Sequence, residues 1–133
     1  MGQVVVPIVV SAPGGSRHGE TLKAFVDTVA TLSMIPGDVL RRLGVRPIDE
    51  MPVRLADGRV VRRAVGEARL RVDGHVVTSR VMFGKRHDAT VLGLVVLESL
   101  GLTVDPSKGK IVKGELLLLT MATQRPRGIR TNA

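Results

Sequence analysis

The chain is a succession of short apolar runs separated by turn signals. Residues 3–10 are β-branched and apolar almost throughout, which predicts a strand. Pro7 inside it has no N–H for a ladder and predicts an edge or a bulge. The Pro, Gly and Ser of residues 11–19 predict a loop, and Thr21 to Val26 the returning strand, ending at Asp27. Asp38 to Leu43 predicts a short helix: Pro36 or Gly37 opens it, Asp38 suits the positive end of its dipole and Gly44 stops it. Further strands are expected at Met51 to Leu55, Val60 to Val65, Gly66 to Val72, Val76 to Val77 and Ser79 to Phe83. Ala56-Asp57-Gly58-Arg59 reads as a hairpin turn of the twisted two-residue type, and Asp73-Gly74 as a second turn. Arg69 and Arg71 alternate with Leu70 and Val72, as on a half-buried strand. A buried run, Thr90 to Leu94, leads into a helix over Val95 to Leu100 that Gly101 stops. Strands over Leu102 to Val104 and Lys110 to Val112 flank a turn at 105–109, and Glu115 to Met121 is a candidate last strand. Regular short strands with turn signals predict a sandwich or barrel, not a βαβ fold. One pattern occurs twice: strand, apolar-apolar-(Asp or Gly), helix, Leu-Gly, around Asp27 to Gly44 and again around Gly93 to Gly101. Two pseudo-related halves of a small β-domain would have that spacing.

Composition narrows the class. The 133 residues make one domain; a chain this long buries about two-thirds of its unfolded surface. Val and Leu dominate, aromatic residues are 2% and Gly is frequent, a balance that suits β-structure with tight turns. No cysteine is present, which excludes disulfides and thiolate metal sites. The first apolar run has no basic flank and contains a Pro, unlike a secretory leader, and Leu116 to Leu119 is too short to span a bilayer. The chain therefore reads as soluble and cytoplasmic. Residues 1–121 are expected to form the domain, with 122–133 a basic, disordered tail. The formal charge of +8 could attract nucleic acid, anionic membrane or acidic peptides. Aromatic stacking platforms and the helix-turn-helix and zinc-finger patterns are absent, so the charge reads as a solvated basic surface and nucleic acid is not an expected partner.

The candidate chemistry gathers at Ala24-Phe25-Val26-Asp27-Thr28-Val29-Ala30-Thr31-Leu32-Ser33-Met34-Ile35-Pro36. An apolar run delivers one carboxylate into a turn of small and hydroxyl residues. An unpaired charge is costly to bury, so Asp27 either faces solvent, is hydrogen-bonded by its neighbours, or is functional. Taken alone it fits best a turn residue whose side chain caps a local N–H. His18, His75 and His87 lie in or beside turns without metal spacing and are expected to be exposed. Neither a nucleophile elbow nor a phosphate-binding glycine motif is present.

Three segments together resemble the retroviral-like (retropepsin-like) aspartic proteases. The first is the Asp27 loop, although Val29 stands where that family has Gly. The second is the Asp57-Gly58 hairpin, at the distance of the family's flap. The third runs from Asp88-Ala89-Thr90-Val91-Leu92-Gly93-Leu94 through Leu97-Glu98-Ser99-Leu100-Gly101-Leu102-Thr103-Val104-Asp105. The resemblance covers roughly residues 3–112. It implies a mostly β fold, a closed antiparallel barrel with one or two short helices. It also implies a homodimer cutting peptide or protein substrates, with Asp27 of each chain as the catalytic residue and no cofactor or metal. Thr28, Val29 and Ala30, with the flap-tip residues Ala56, Asp57 and Gly58, would contact substrate or the partner loop. Thr31 would lie near the carboxylate, and Val91 to Gly93 would support the loop from behind. Val29 adds a branched side chain where space is short and backbone angles are restricted. The alternative is therefore a catalytically impaired dimerisation or peptide-binding module on the same fold.

Overall fold

The computed structural model describes residues 3–14 and 18–115. Nine strands and two short helices follow in order: β1 (Val5–Ser11), β2 (Glu20–Val26), β3 (Ser33–Pro36), α1 (Gly37–Arg42), β4 (Asp49–Arg54), β5 (Val60–Val72), β6 (His75–Gly84), β7 (Val91–Leu92), α2 (Leu94–Ser99), β8 (Leu102–Asp105) and β9 (Lys110–Lys113). The candidate strand ending at Met121 and the tail from 122 fall largely or wholly outside the described residues.

The pairings run β1-β2-β7-β3-β6-β5, and β5 pairs back onto β1, which closes a six-membered ring. β4 extends from β5 as a hairpin arm, and β8 and β9 form a separate two-stranded sheet. This is the expected mostly β barrel with two short helices. Most pairings are antiparallel; β2–β7 and β3–β6 are parallel. Those two give the repeated sequence pattern a structural meaning, because each half lends a strand that pairs parallel with the other half. Each short helix ends before a glycine of positive φ, Gly44 at +88° and Gly101 at +67°. Only glycine adopts that backbone without strain.

Ile8, Val10, Ile35, Leu40, Leu70, Val72, Val81, Leu92, Val96 and Leu97 are at most 1% exposed and fill the barrel. Each contributes roughly 1.5–3 kcal/mol relative to exposure. Pro7 sits where it costs nothing: β1 is paired with β5 only from Ile8 onward. Arg69 and Arg71 face outward between buried Ala68, Leu70 and Val72.

The structure corrects four expectations. Residues 60–72 form one strand, not two, because Gly66 is not a break. The connection from α1 to β4 crosses over it, and an added Cβ would lie 2.7 Å from the Arg46 carbonyl oxygen and 2.9 Å from the Phe83 ring. Val65 and Gly66 are both buried, so the strand changes phase there: Arg63 and Val65 point inward before it, Ala68, Leu70 and Val72 after it. Likewise β6 runs unbroken from His75 to Gly84. The hairpin after β4 has a three-residue loop, Ala56-Asp57-Gly58, closed by Leu55 N–H donating to Arg59 O at 2.8 Å, with Gly58 at φ +88°. Asp73-Gly74, with φ of 50° and 79°, is the two-residue turn expected there. Finally, His75 is half-buried at the start of β6, while His18 and His87 are exposed.

Candidate active site

Parallel pairing with β7 fixes the end of β2: Phe25 lies opposite Val91, Val26 opposite Leu92, and the Asp27 N–H donates to Leu92 O at 3.0 Å. The chain then turns sharply outward. Asp27, Thr28 and Val29 are exposed, Val29 by 91%. Val29 and Ala30 N–H groups donate to Asp27 Oδ1 at 2.9 and 3.3 Å. The carboxylate thus closes its own turn through one oxygen. The other accepts no hydrogen bond from the described residues. So the turn-capping geometry is present, and it orients a carboxylate whose second oxygen is open to solvent.

The loop is held from below. Leu94 N–H donates to Ala30 O at 2.8 Å and Val95 N–H to Thr31 O at 3.1 Å. Buried Ser33 Oγ accepts from the Gly93 N–H at 2.9 Å. An added Cβ on Gly93 would stand 2.7 Å from both the carbonyl carbon and oxygen of Leu32, and 2.9 Å from Thr31 O. Nothing larger than glycine fits behind this loop. The only non-glycine residue with positive φ among those described is Asp73. The Val29 backbone therefore does not need glycine, and its side chain is almost fully exposed.

A cleft of about 370 Å³ lies between this loop and the β4 arm. Val29, Ala30, Thr31 and Leu32 form one wall, Met51 to Arg54 the other, with Met82 also lining it. Beneath it Met34, Val65 and Met82 form a small apolar cluster with Leu32, Val53 and Val91. Of the residues singled out from sequence, the cleft brings Val29, Ala30 and Thr31 together with β4. Asp27 and Thr28 stand beside it on the same loop. Ala56, Asp57 and Gly58 form the exposed tip of the arm and do not line it. That tip is organised internally: Asp57 Oδ1 accepts the Arg59 N–H, Oδ2 accepts Arg59 Nε at 2.7 Å, and Arg54 Nη1 donates to Gly58 O at 2.9 Å. The Asp57 carboxyl is held below the usual carboxylate range, first by the Arg59 backbone N–H and then by its guanidinium.

Sequence reading missed the lining residues Leu32, Met51, Val53, Arg54 and Met82. The apolar spacing of Met51 and Val53 was a signal for two of them. It also missed the ion pair at the base of the arm. Arg63 Nε and Nη2 donate to Asp88 Oδ2 and Oδ1 at 2.8 and 3.2 Å, with 8% and 15% of the two side chains exposed. Hydrogen bonds from Arg63, aided by the Lys85 N–H, hold the Asp88 carboxyl below its ordinary range against the opposing effect of burial. Among the described residues no group of three or more His, Cys, Asp or Glu could hold a metal ion. No described helix is long and apolar enough to cross a membrane.

Residues 15–99 match the family described as "gag-polyprotein putative aspartyl protease". Among solved structures, the chain is similar to EIAV protease complexed with the inhibitor HBY-793. The TM-score is 0.61 at 17% identity, over 88% of this chain and 94% of that one. It is also similar to the retroviral protease-like domain of Ddi1 from Leishmania major, with a TM-score of 0.56 at 17% identity, over 85% and 89%. At such identities the likeness is one of fold. No curated protein matches the chain in sequence.

Proposed function

Since the chain belongs to the gag-polyprotein aspartyl protease family, we propose that it is a homodimeric aspartic endopeptidase whose catalytic pair is Asp27 from each of two chains. The observation that carries this reading is the Asp27 turn. It presents one carboxylate, oriented by two backbone N–H groups, on the loop that walls a cleft opposite β4 of the hairpin arm.

The chemistry explains the need for a second chain. Peptide hydrolysis without a metal needs one group to deprotonate water and another to protonate or polarise the scissile carbonyl. Two carboxyl groups side by side do both by sharing one proton. The loop offers a single carboxylate per chain, and α2 packs behind it. A two-fold partner meeting this loop would bring the second. Thr28, at the exposed turn, would bond across that axis. Val29 would face the partner or the substrate. The arm tip, Ala56 to Gly58, would close over an extended peptide by strand-like hydrogen bonds. Peptide residues at the scissile bond would meet Leu32, Met51, Val53 and Met82, which favours apolar side chains there.

Asp27→Asn keeps the turn's acceptor oxygen and removes the ionisable group. Cleavage of a mixed peptide library is expected to fall by about a thousandfold or more, with an unchanged circular dichroism spectrum. Undiminished cleavage by that variant would sink the assignment.

A further inference from the structure

A second, larger groove of about 620 Å³ lies away from the Asp27 loop, between α1, the base of the β4–β5 arm and residues 84–88. Its wall includes the buried Arg63–Asp88 pair, and Glu50 on its rim is paired with Arg62. Three further cations line it. Arg41 lies over the Phe83 ring, 5.3 Å from the centroid. It packs so closely on the start of α1 that a Cβ on Gly37 would be 2.9 Å from its Nη1. Its guanidinium is exposed to the groove and stacked on that ring. Arg86 and Lys85 are exposed on the loop after β6. Among the described residues neither Arg41 nor Arg86 forms an ion pair, and the Lys85 ammonium acts on Asp88 only through its field, the hydrogen bond to that carboxylate coming from the Lys85 backbone N–H. Against these three stands one further acid, Asp38, whose field also acts on Arg42. The groove thus has surplus positive charge, a guanidinium stacked on an aromatic ring and an apolar floor at Phe83 and Ala64.

We propose that this groove docks an acidic stretch of the polypeptide substrate, remote from the scissile bond. The identity of the occupant as substrate rests on the endopeptidase reading; the acidic chemistry rests on the groove alone. The β4–β5 arm borders both the groove and the cleft at Asp27, so one polypeptide could follow it from one to the other. Such a site raises capture of acidic substrates, through complementary charge, without touching the reacting atoms.

The test is fluorescence anisotropy of a labelled oligoglutamate peptide with the full chain, over a range of salt. Lys85→Gln/Arg86→Gln removes two exposed charges without disturbing packing and is expected to weaken binding roughly three- to tenfold. Lys23→Gln/Arg69→Gln, an equal charge change on the outer face of the barrel, is expected to leave it unaltered. Arg41→Gln is expected to weaken it further, but its packing on Phe83 makes the loop pair the deciding variant. Equal losses in the two double variants, or no binding by wild type, would overturn the proposal. So would displacement of the peptide by millimolar inorganic phosphate, which would mean a simple anion site. A kinetic arm separates the two readings. An acidic tract appended to a cleaved peptide should lower KM, leave kcat unchanged, and lose this effect in Lys85→Gln/Arg86→Gln. A tract without effect on KM overturns substrate docking. Groove-dependent binding by a protein that cuts nothing supports the acidic-peptide site and overturns the endopeptidase reading.

Discussion

At the end of β2 the chain presents Asp27; at the end of β7, its counterpart in the other half, it presents Gly93. The two loops start from strands paired in parallel with each other and lead to short helices stopped by glycine. Their environments are opposite. Asp27 is exposed, and its side chain organises its own turn. Gly93 is buried, has no side chain to offer, and lies against the backbone of Leu32 and Thr31. One half has kept a carboxylate at the surface and the other has given up all volume to support it. A β-domain built of two such halves carries one acid, and this asymmetry is the physical reason for proposing that catalysis is completed by a second chain.

The asymmetry can be attacked from its supporting side first. Gly93→Ala forces a methyl group to within 2.7 Å of the Leu32 carbonyl, where backbone must move. We expect about 3–4 kcal/mol of destabilisation by urea titration, together with displacement of the Asp27 loop. A wild-type midpoint would mean that the close approach is not required. The Arg63–Asp88 pair ties the β4–β5 arm to the segment leading into β7. Asp88→Asn leaves Arg63 buried without its counter-charge, an expected loss of about 3 kcal/mol at neutral pH. The sign of its pH dependence follows from the lowered Asp88 pKa, caused first by the Arg63 hydrogen bonds. A carboxylate whose folded-state pKa lies below its unfolded value contributes its full stability above the unfolded pKa. It loses that contribution as pH falls through the folded value. Wild type should therefore lose stability toward acid more steeply than Asp88→Asn, and parallel curves would contradict this.

Smaller changes sharpen the comparison. Ser33→Ala leaves the Gly93 N–H buried without an acceptor and should cost about 2 kcal/mol, read as a lower thermal midpoint. Val29→Gly should cost only about 0.5–1 kcal/mol, through the freer unfolded chain, because Val29 is 91% exposed and touches little within the protomer. Its informative readout is turnover. Unchanged cleavage means the site tolerates Val29, whereas a wild type that binds peptide without cutting it, and cuts once Val29 is Gly, identifies a module disabled by one side chain.

Much of this was legible in the sequence, for reasons that can be named. Asp73-Gly74, Gly44 and Gly101 need positive φ, and few residues other than glycine supply it, so turns and helix stops were readable locally. Arg69 and Arg71 alternate with Leu70 and Val72, so the outer face of β5 was readable too. Gly66 misled because its requirement is tertiary: the chain crossing above it is Val45–Arg46, twenty residues earlier in sequence. The same holds for Arg63 and Asp88, whose 25-residue separation carries no local signal. The Asp27 loop could be recognised from its residues. That Val29 stands almost fully exposed, and that Ser33 holds Gly93, depend on the folded structure and have no local signal.

The central claim is that two Asp27 carboxylates, one from each chain, act together. The most direct measurement mixes wild-type and Asp27→Asn chains at constant total concentration, allows exchange, and follows peptide cleavage against the wild-type fraction. Random pairing of two chains predicts activity falling with the square of that fraction, to about one quarter in an equal mixture. A linear fall to about one half, as for an active single chain or an unmixed population, would contradict the account once exchange has been verified by native mass spectrometry.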